Sequence, residues 1–315
     1  KVNYLGFNHI INQFGEVVGD QPYDEITIGQ QNIAVTQHKS RTDLTNNHGE
    51  VYFQTFNALS KHPFGYKEIT MGQKLGVVSH FGEVILAPIY DSISSVMHRH
   101  YLVVKKGEQV GLIHFKGRWI IPLTDEYQSI PHVGEEYIGI QKNDQFGFID
   151  YAMRLLIANR YDSIQAFAEQ RAAIQLNHKW GFIDQKEKLI VQPNYEMVFP
   201  FRHGSSLVKL DGKWGVIDLQ GKALIGCELD EIERTQGGFF LTKKDEKLGL
   251  ANLKGQSLLA NAYDQIKSTP HGSFIVSRRG LTGVLDSSGK YTIPLKHEQI
   301  TSISNNRFIC KLAED

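Results

Sequence analysis

The feature that most constrains this chain is a repeat. Lys179-Trp180-Gly181-Phe182-Ile183-Asp184 returns as Lys213-Trp214-Gly215-Val216-Ile217-Asp218, a spacing of 34 residues. With the glycine as marker, weaker copies stand at Gly6, Gly76, Gly111, Gly147, Gly249 and Gly283, and a degenerate one at Asp43. Every gap between neighbouring markers lies between 33 and 37 residues. A fixed period of this size indicates stacked copies of one supersecondary unit, each too small to bury its own apolar faces. A chain of 315 residues would otherwise be near the upper size of a single core.

The unit reads as strands joined by turns. Aromatic and branched residues around the marker, as in Trp180-Gly181-Phe182-Ile183, favour extended backbone. A turn follows at once: Asp218-Leu219-Gln220-Gly221 and Asp286-Ser287-Ser288-Gly289 place Asp first and Gly fourth, and Asn252-Leu253-Lys254-Gly255 does the same with Asn. A second strand runs back, as in Leu189-Ile190-Val191, and several end near proline, at Pro88, Pro122, Pro193 and Pro294. Proline cannot donate to a ladder, so pairing is expected to stop there. Next comes an aromatic-polar-x-aliphatic step, such as Tyr90-Asp91-Ser92-Ile93, Tyr161-Asp162-Ser163-Ile164 and Tyr263-Asp264-Gln265-Ile266. Its tyrosines read as core rings with hydroxyls tied to backbone. A last strand, such as Phe274-Ile275-Val276, closes the unit.

Three or four strands with their turns fill the period and leave no room for a helix. The expected fold is therefore all-β: nine tandem units of roughly 35 residues, each of three to four short antiparallel strands, in a curved open solenoid-like array. The alternative is a closed β-propeller-like ring, which would join residues 4–7 to residues 308–312 and remove both edges. The expected organisation is one array over 1–315, with two degenerate N-terminal repeats forming a cap at 1–73 and seven regular repeats at 74–315.

The markers at 179–184 and 213–218, with the Tyr-Asp-x-x-Ile step downstream, resemble the WG-repeat (KWG) family of bacterial proteins. The resemblance covers nearly the whole chain and is most specific from Gly76 onward. It implies an all-β repeat array used for interaction, often exported, with no general catalytic assignment to carry over.

Composition narrows the partners. Lys+Arg 34 balances Asp+Glu 34, so no global field attracts nucleic acid or an anionic membrane. No apolar run approaches the roughly 18 residues of a membrane span. The sequence has no nucleophile elbow, phosphate-binding glycine loop, Cys-x-x-Cys pair or His-Glu-x-x-His helix, so no enzymatic activity, cofactor or metal site is assigned. His98-Arg99-His100 puts two imidazoles on one strand face, but no third ligand can be named. Asp150, Asp184, Asp218 and Asp286 belong to turns. Cys227 and Cys310 fall where other units carry apolar residues or proline and read as packed thiols, although spacing does not settle whether they are free.

The better candidate is positional. Between the Tyr-x-x-Ile step and the last strand each unit has a connection of variable sequence, and many carry a cation or imidazole: His98, Arg99, His100, His132, Arg171, Arg202, His203, Arg234, His271 and Arg307. Built alike, the units should present these loops on one rim. That rim would suit an extended anionic ligand or an acidic partner surface, with Phe167, Phe199 and Phe201 as apolar anchors. The expected function is a non-catalytic scaffold that binds a protein partner through this rim or a concave face. The alternatives are a binder of an envelope glycan or acidic polysaccharide, and an enzyme with an unrecognised site. Neither nucleic acid nor a membrane span is expected. A chain opening on Lys1 rather than Met is compatible with a removed export segment. The expected location is periplasmic or extracellular, with the cytoplasm as alternative.

Overall fold

The computed structural model describes residues 2–4, 7–11, 14, 16–23, 25–28, 34–38, 41–45, 51–55, 60–61, 66–79, 84–96, 100–235, 237–269, 272–304 and 307–312. Among them every regular element is a strand, and every sheet is an antiparallel meander in chain order. The chain divides into two compact units, residues 1–160 and 161–315. The first holds a three-stranded sheet over 2–23 and four-stranded sheets over 25–55, 60–90, 92–124 and 129–161, the last strand ending one residue past the division. The second holds four-stranded sheets over 163–195, 197–229 and 231–263 and a five-stranded sheet over 265–312. The fold is thus the expected all-β series of small sheets, none closed into a barrel. Strand pairing at each end is local, Tyr4 with Phe7 and Phe308 with Ser302.

The phase of the repeat differs from the one the sequence pattern indicated. From Tyr90 onward the boundary between sheets falls inside the Tyr-x-x-Ile step, not ahead of the marker strand. Tyr90 ends strand Val84–Tyr90, and Ser92 opens strand Ser92–Val96 of the next sheet. The same one-residue hinge separates Tyr195 from Met197, Leu229 from Glu231 and Tyr263 from Gln265. The hinge residue already bonds to the new sheet: the Asp91 amide donates to Lys105 O at 2.8 Å, Glu196 to Lys209 O at 2.9 Å, and Asp230 to Lys243 O at 2.9 Å. In each sheet of four or five strands, therefore, the marker strand is third, and from the 92–124 sheet onward the strand read as closing the unit is second.

The marker glycine is explained by its fourth-strand neighbour. Trp180 pairs with Tyr195 and Phe182 with Val191, so Gln192, Pro193 and Asn194 arch over Gly181 alone. A Cβ on Gly181 would meet Pro193 N at 2.8 Å and Gln192 C at 2.9 Å, and would press still harder on Val191 O. At Gly181 the space is needed for neighbouring backbone, whereas at Gly111 and Gly215 a side chain, Trp119 or Cys227, shares it. The arch also corrects the reading of proline. Pro88, Pro193 and Pro294 lie inside their strands, and pairing resumes beyond them at Leu75↔Tyr90, Trp180↔Tyr195 and Thr282↔His297. Pro122 sits likewise within strand Trp119–Thr124, with Thr124 again paired to Val110. A bulge is a place where a strand does not need every N–H, which is why proline is tolerated there.

Both faces of the sheets are apolar, and the cores lie between successive sheets. Phe182 and Val191 of the 163–195 sheet pack with Val198, Phe201 and Val208 of the 197–229 sheet. Val216 continues to Phe240 and Ala251 of the 231–263 sheet. In the first unit Val77 and Leu86 meet Leu102, Val104 and Ile113, and Leu112 and Ile121 meet Ile138 and Ile140. Each such side chain contributes about 1.5–3 kcal/mol by burial, none of which a sheet could collect alone. The step tyrosines are core rings: Tyr66, Tyr90, Tyr127, Tyr161 and Tyr263 are buried. Their hydroxyls differ from expectation where they can be followed, since Tyr161 donates to Glu187 Oε1 at 3.1 Å and the Tyr263 and Tyr291 hydroxyls share a bond of 2.9 Å. Both partners are side chains of the following sheet, because the ring crosses the hinge before its oxygen emerges.

Candidate interaction surface

Most of the recurring polar chemistry holds sheets together. At the hinge, the Asp91 carboxylate takes the Lys74 ammonium of the marker strand behind it and, at 2.7 Å, the Gly107 amide in the turn ahead. Asp230 does the same with Lys213 and the Asp245 amide, and Asp264 with Lys247 and the Arg279 amide. These lysines and amides hold the three carboxyls below the usual carboxylate range. The turn aspartates act as their spacing indicated. Asp184 Oδ1 accepts from the amides of Lys186 and Lys188, both at 2.9 Å, and those bonds lower its pKa. Asp286 caps its turn in the same way through Ser288 and Lys290.

The loops between first and second strands are where the repeats diverge. His98, Arg99 and His271 lie outside the described residues. His100 is exposed, its ring edge-on to Phe115 at 5.9 Å. His132 is half-buried in strand Ser129–Val133, and Arg307 opens strand Arg307–Leu312, exposed.

The second unit brings four of the expected residues into one laced surface. Glu169 accepts from the Gly204 amide at 2.8 Å, tying the 163–195 loop to the 197–229 loop. Arg171 reaches the same neighbour, its Nε donating to Leu219 O at 3.1 Å. From the other side Arg234 donates to Arg202 O, to Ser205 O at 3.1 Å and to Ser205 Oγ at 3.0 Å, with its guanidinium 5.2 Å from the Phe240 ring. Burial, and then the nearby Arg202, lower the Arg234 pKa. Arg171 and Arg234 are thus engaged within the fold, whereas Arg202 and His203 project, exposed, from the connection the others brace. Of the aromatic residues, Phe201 turns inward, edge-on to Phe182 at 4.7 Å, and Phe199 is exposed.

Among the described residues no three His, Cys, Asp or Glu side chains are placed to hold a metal. Both cysteines are free thiols. Cys227 is half-buried against Gly215, and burial pushes its thiol up. Cys310 is exposed, contrary to the packed position expected of it, because its strand is the edge of the last sheet.

Comparison with known families decides what this architecture belongs to. The family model described as "WG containing repeat" matches residues 76–108, 146–180, 180–214 and 214–247. The chain carries WG repeats. The matched stretches run from marker to marker, so each takes the last two strands of one sheet and the first two of the next. No curated protein matches this WG-repeat chain. Among solved structures it is similar to a eukaryotic initiation factor, with 7% identity, TM-score 0.44, 86% of this chain and 87% of that chain covered. It is also similar to Hsv2p of Kluyveromyces lactis, with 11% identity, TM-score 0.40 and coverages of 82% and 98%. A third is PorZ, described as a surface component of the type-IX secretion system of Porphyromonas gingivalis, with 12% identity, TM-score 0.32 and coverages of 92% and 47%.

The hinge clasp was missed by sequence reasoning although a signal was present. The marker lysine and the hinge acid stand 17 residues apart at Lys74–Asp91, Lys213–Asp230 and Lys247–Asp264. The inward use of Arg234 carries no such signal, because no other repeat reproduces it.

Proposed function

We propose that this WG-repeat protein is a non-catalytic scaffold that binds a protein partner through the rim of first-to-second-strand loops. The supporting observation is the lacing of three successive loops in the second unit. Glu169 holds Gly204, and Arg234 holds Arg202 and Ser205, so the exposed Arg202 and His203 stand on a preorganised support. Preorganisation lowers the ordering cost of association, and a rim built from repeated loops varies in sequence without disturbing the clasps beneath it. In the second unit Arg202 and His203 would carry the contact, and Arg171 and Arg234 serve as braces. The test is affinity capture from the source organism with the wild type and with R202E/H203E as baits. The expected result is a protein retained by the wild type and lost from the variant, with both baits melting at the same temperature. Retention of nothing beyond a control bait, or equal retention by both, would reject the proposal.

A further inference from the structure

One sheet departs from the rest at two positions that no packing requirement explains. Within the second unit the first strand of a sheet has one face on the preceding sheet, as Val198, Ile232 and Ile266 do, while the third and fourth strands cover the next one. Its other face is mostly polar and exposed or half-buried, with Gln165 donating to Val198 O at 3.3 Å. The residue after the hinge is Ser92, Ser129, Ser163, Glu231 or Gln265, and two residues further it is Ser94, Pro131, Gln165, Glu233 or Lys267. In the 197–229 sheet these two positions are Met197 and Phe199, 46% and 45% exposed. Register places Met197 opposite Lys209 and Lys209 opposite Trp214 on the same face. Phe199 lies 5.8 Å from the Trp214 ring, and the Lys209 ammonium lies 5.5 Å from that ring's centre. The bridge between Arg202 and Ser205 sets Arg202 on this face too, at the other end of Phe199.

Charge selects the occupant. Among the described residues neither Lys209 nor Arg202 is paired with a carboxylate. Two loop acids of this region are turned to backbone, Glu169 to the Gly204 amide and Glu196 to the Gly212 amide. An apolar surface flanked by two unpaired cations complements a segment with an apolar side chain between acidic ones. We propose that Met197, Phe199 and Trp214, with Lys209 and Arg202, form the docking site for an extended peptide segment of the partner, apolar at its centre and acidic beside it. This rests on the scaffold reading and narrows it to one face of one repeat.

The variant M197S/F199Q installs residues that neighbouring repeats already carry at these positions, so it should fold and melt as the wild type does. The probe is a phage-displayed random peptide library panned on the full chain and counter-selected on M197S/F199Q. Enriched peptides are then synthesised with a fluorescent label and measured by anisotropy. The expected peptides place Leu, Ile, Phe or Trp next to Asp or Glu. Their binding weakens about tenfold or more in M197S/F199Q, where the apolar anchors are lost. It weakens about threefold in R202Q/K209Q and falls with added salt, since those contacts are partly screened. No enrichment over the variant, enriched peptides without carboxylates, or equal binding to both proteins would overturn the inference. So would sedimentation showing a wild-type dimer that M197S/F199Q abolishes, which would assign the patch to a second copy, or competition by maltohexaose, which would assign it to a sugar. If a captured partner is lost from R202E/H203E yet keeps its affinity for M197S/F199Q, this inference fails and the scaffold reading stands. If no partner is captured at all, the scaffold reading fails first.

Discussion

Replacing Gly181 by Ala tests the arch that explains the marker. The added Cβ would lie 2.8 Å from Pro193 N and 2.9 Å from Gln192 C, with Val191 O also in the way. All three are backbone atoms of a paired strand, so relief requires the arch to lift and the Phe182↔Val191 pair beneath it to loosen. Overpacking of this kind costs about 1–3 kcal/mol, and a rigid backbone neighbour places it toward the upper end. Alanine returns about 0.4–1 kcal/mol by restricting the unfolded chain, leaving a net loss of about 2 kcal/mol. For a cooperative chain of 315 residues that is a fall in melting temperature of roughly 3 °C. Gly226→Ala is the matched control: a Cβ there meets nothing within 4 Å, and its backbone is not in the left-handed region. It should leave stability unchanged or slightly raised. The assay is urea and thermal unfolding followed by tryptophan fluorescence. Equal stability of G181A and the wild type, or equal losses in G181A and G226A, would refute the close-approach argument.

Three further outcomes follow from the same contacts. Arg234→Ala removes donors to Arg202 O and Ser205 and should cost about 1–3 kcal/mol in thermal unfolding, with Arg234→Lys between it and the wild type. The hinge carboxyls of Asp91, Asp230 and Asp264 have pKa values depressed by their lysines and turn amides. Their contribution is therefore full above the ordinary carboxyl range and lost as pH falls through the folded values, so acid melting curves of D230N should show a weaker pH dependence than the wild type. In thiol titration at neutral pH, exposed Cys310 should react in a fast phase and half-buried Cys227, with its raised pKa, in a slow one; a single fast phase of two thiols would contradict the packing of Cys227.

Much of the fold was legible because a fixed period and strand-length apolar runs leave few alternatives. Periodicity gives the length of a repeat but not its origin, which is why the hinge inside Tyr-Asp-x-Ile was read as part of one unit. The step is continuous in sequence, and only the one-residue change of direction at Asp91 or Asp230 separates the sheets. Pro193 shows a second limit, since the rule that proline ends pairing holds for a regular ladder and fails at a three-residue arch. The rim residues were found by position, but their use was not visible: Arg202 and Arg234 look alike in sequence, and only packing against Phe240 and Ser205 makes Arg234 a brace. Met197 and Phe199 were legible in principle, as apolar residues at positions other repeats keep mostly polar, once the phase of the repeat is known.

The account depends most on where one sheet ends and the next begins. Residue-resolved hydrogen exchange of the intact chain measures this directly at the hinge amides of Glu196, Asp230 and Asp264, which donate to Lys209, Lys243 and Ser277. Exchange there as slow as in the marker strands, together with slow exchange at the Asp245 and Arg279 turn amides held by Asp230 and Asp264, is the predicted result. Exchange at the rate of exposed loops at these hinges, with protection intact on either side, would contradict it.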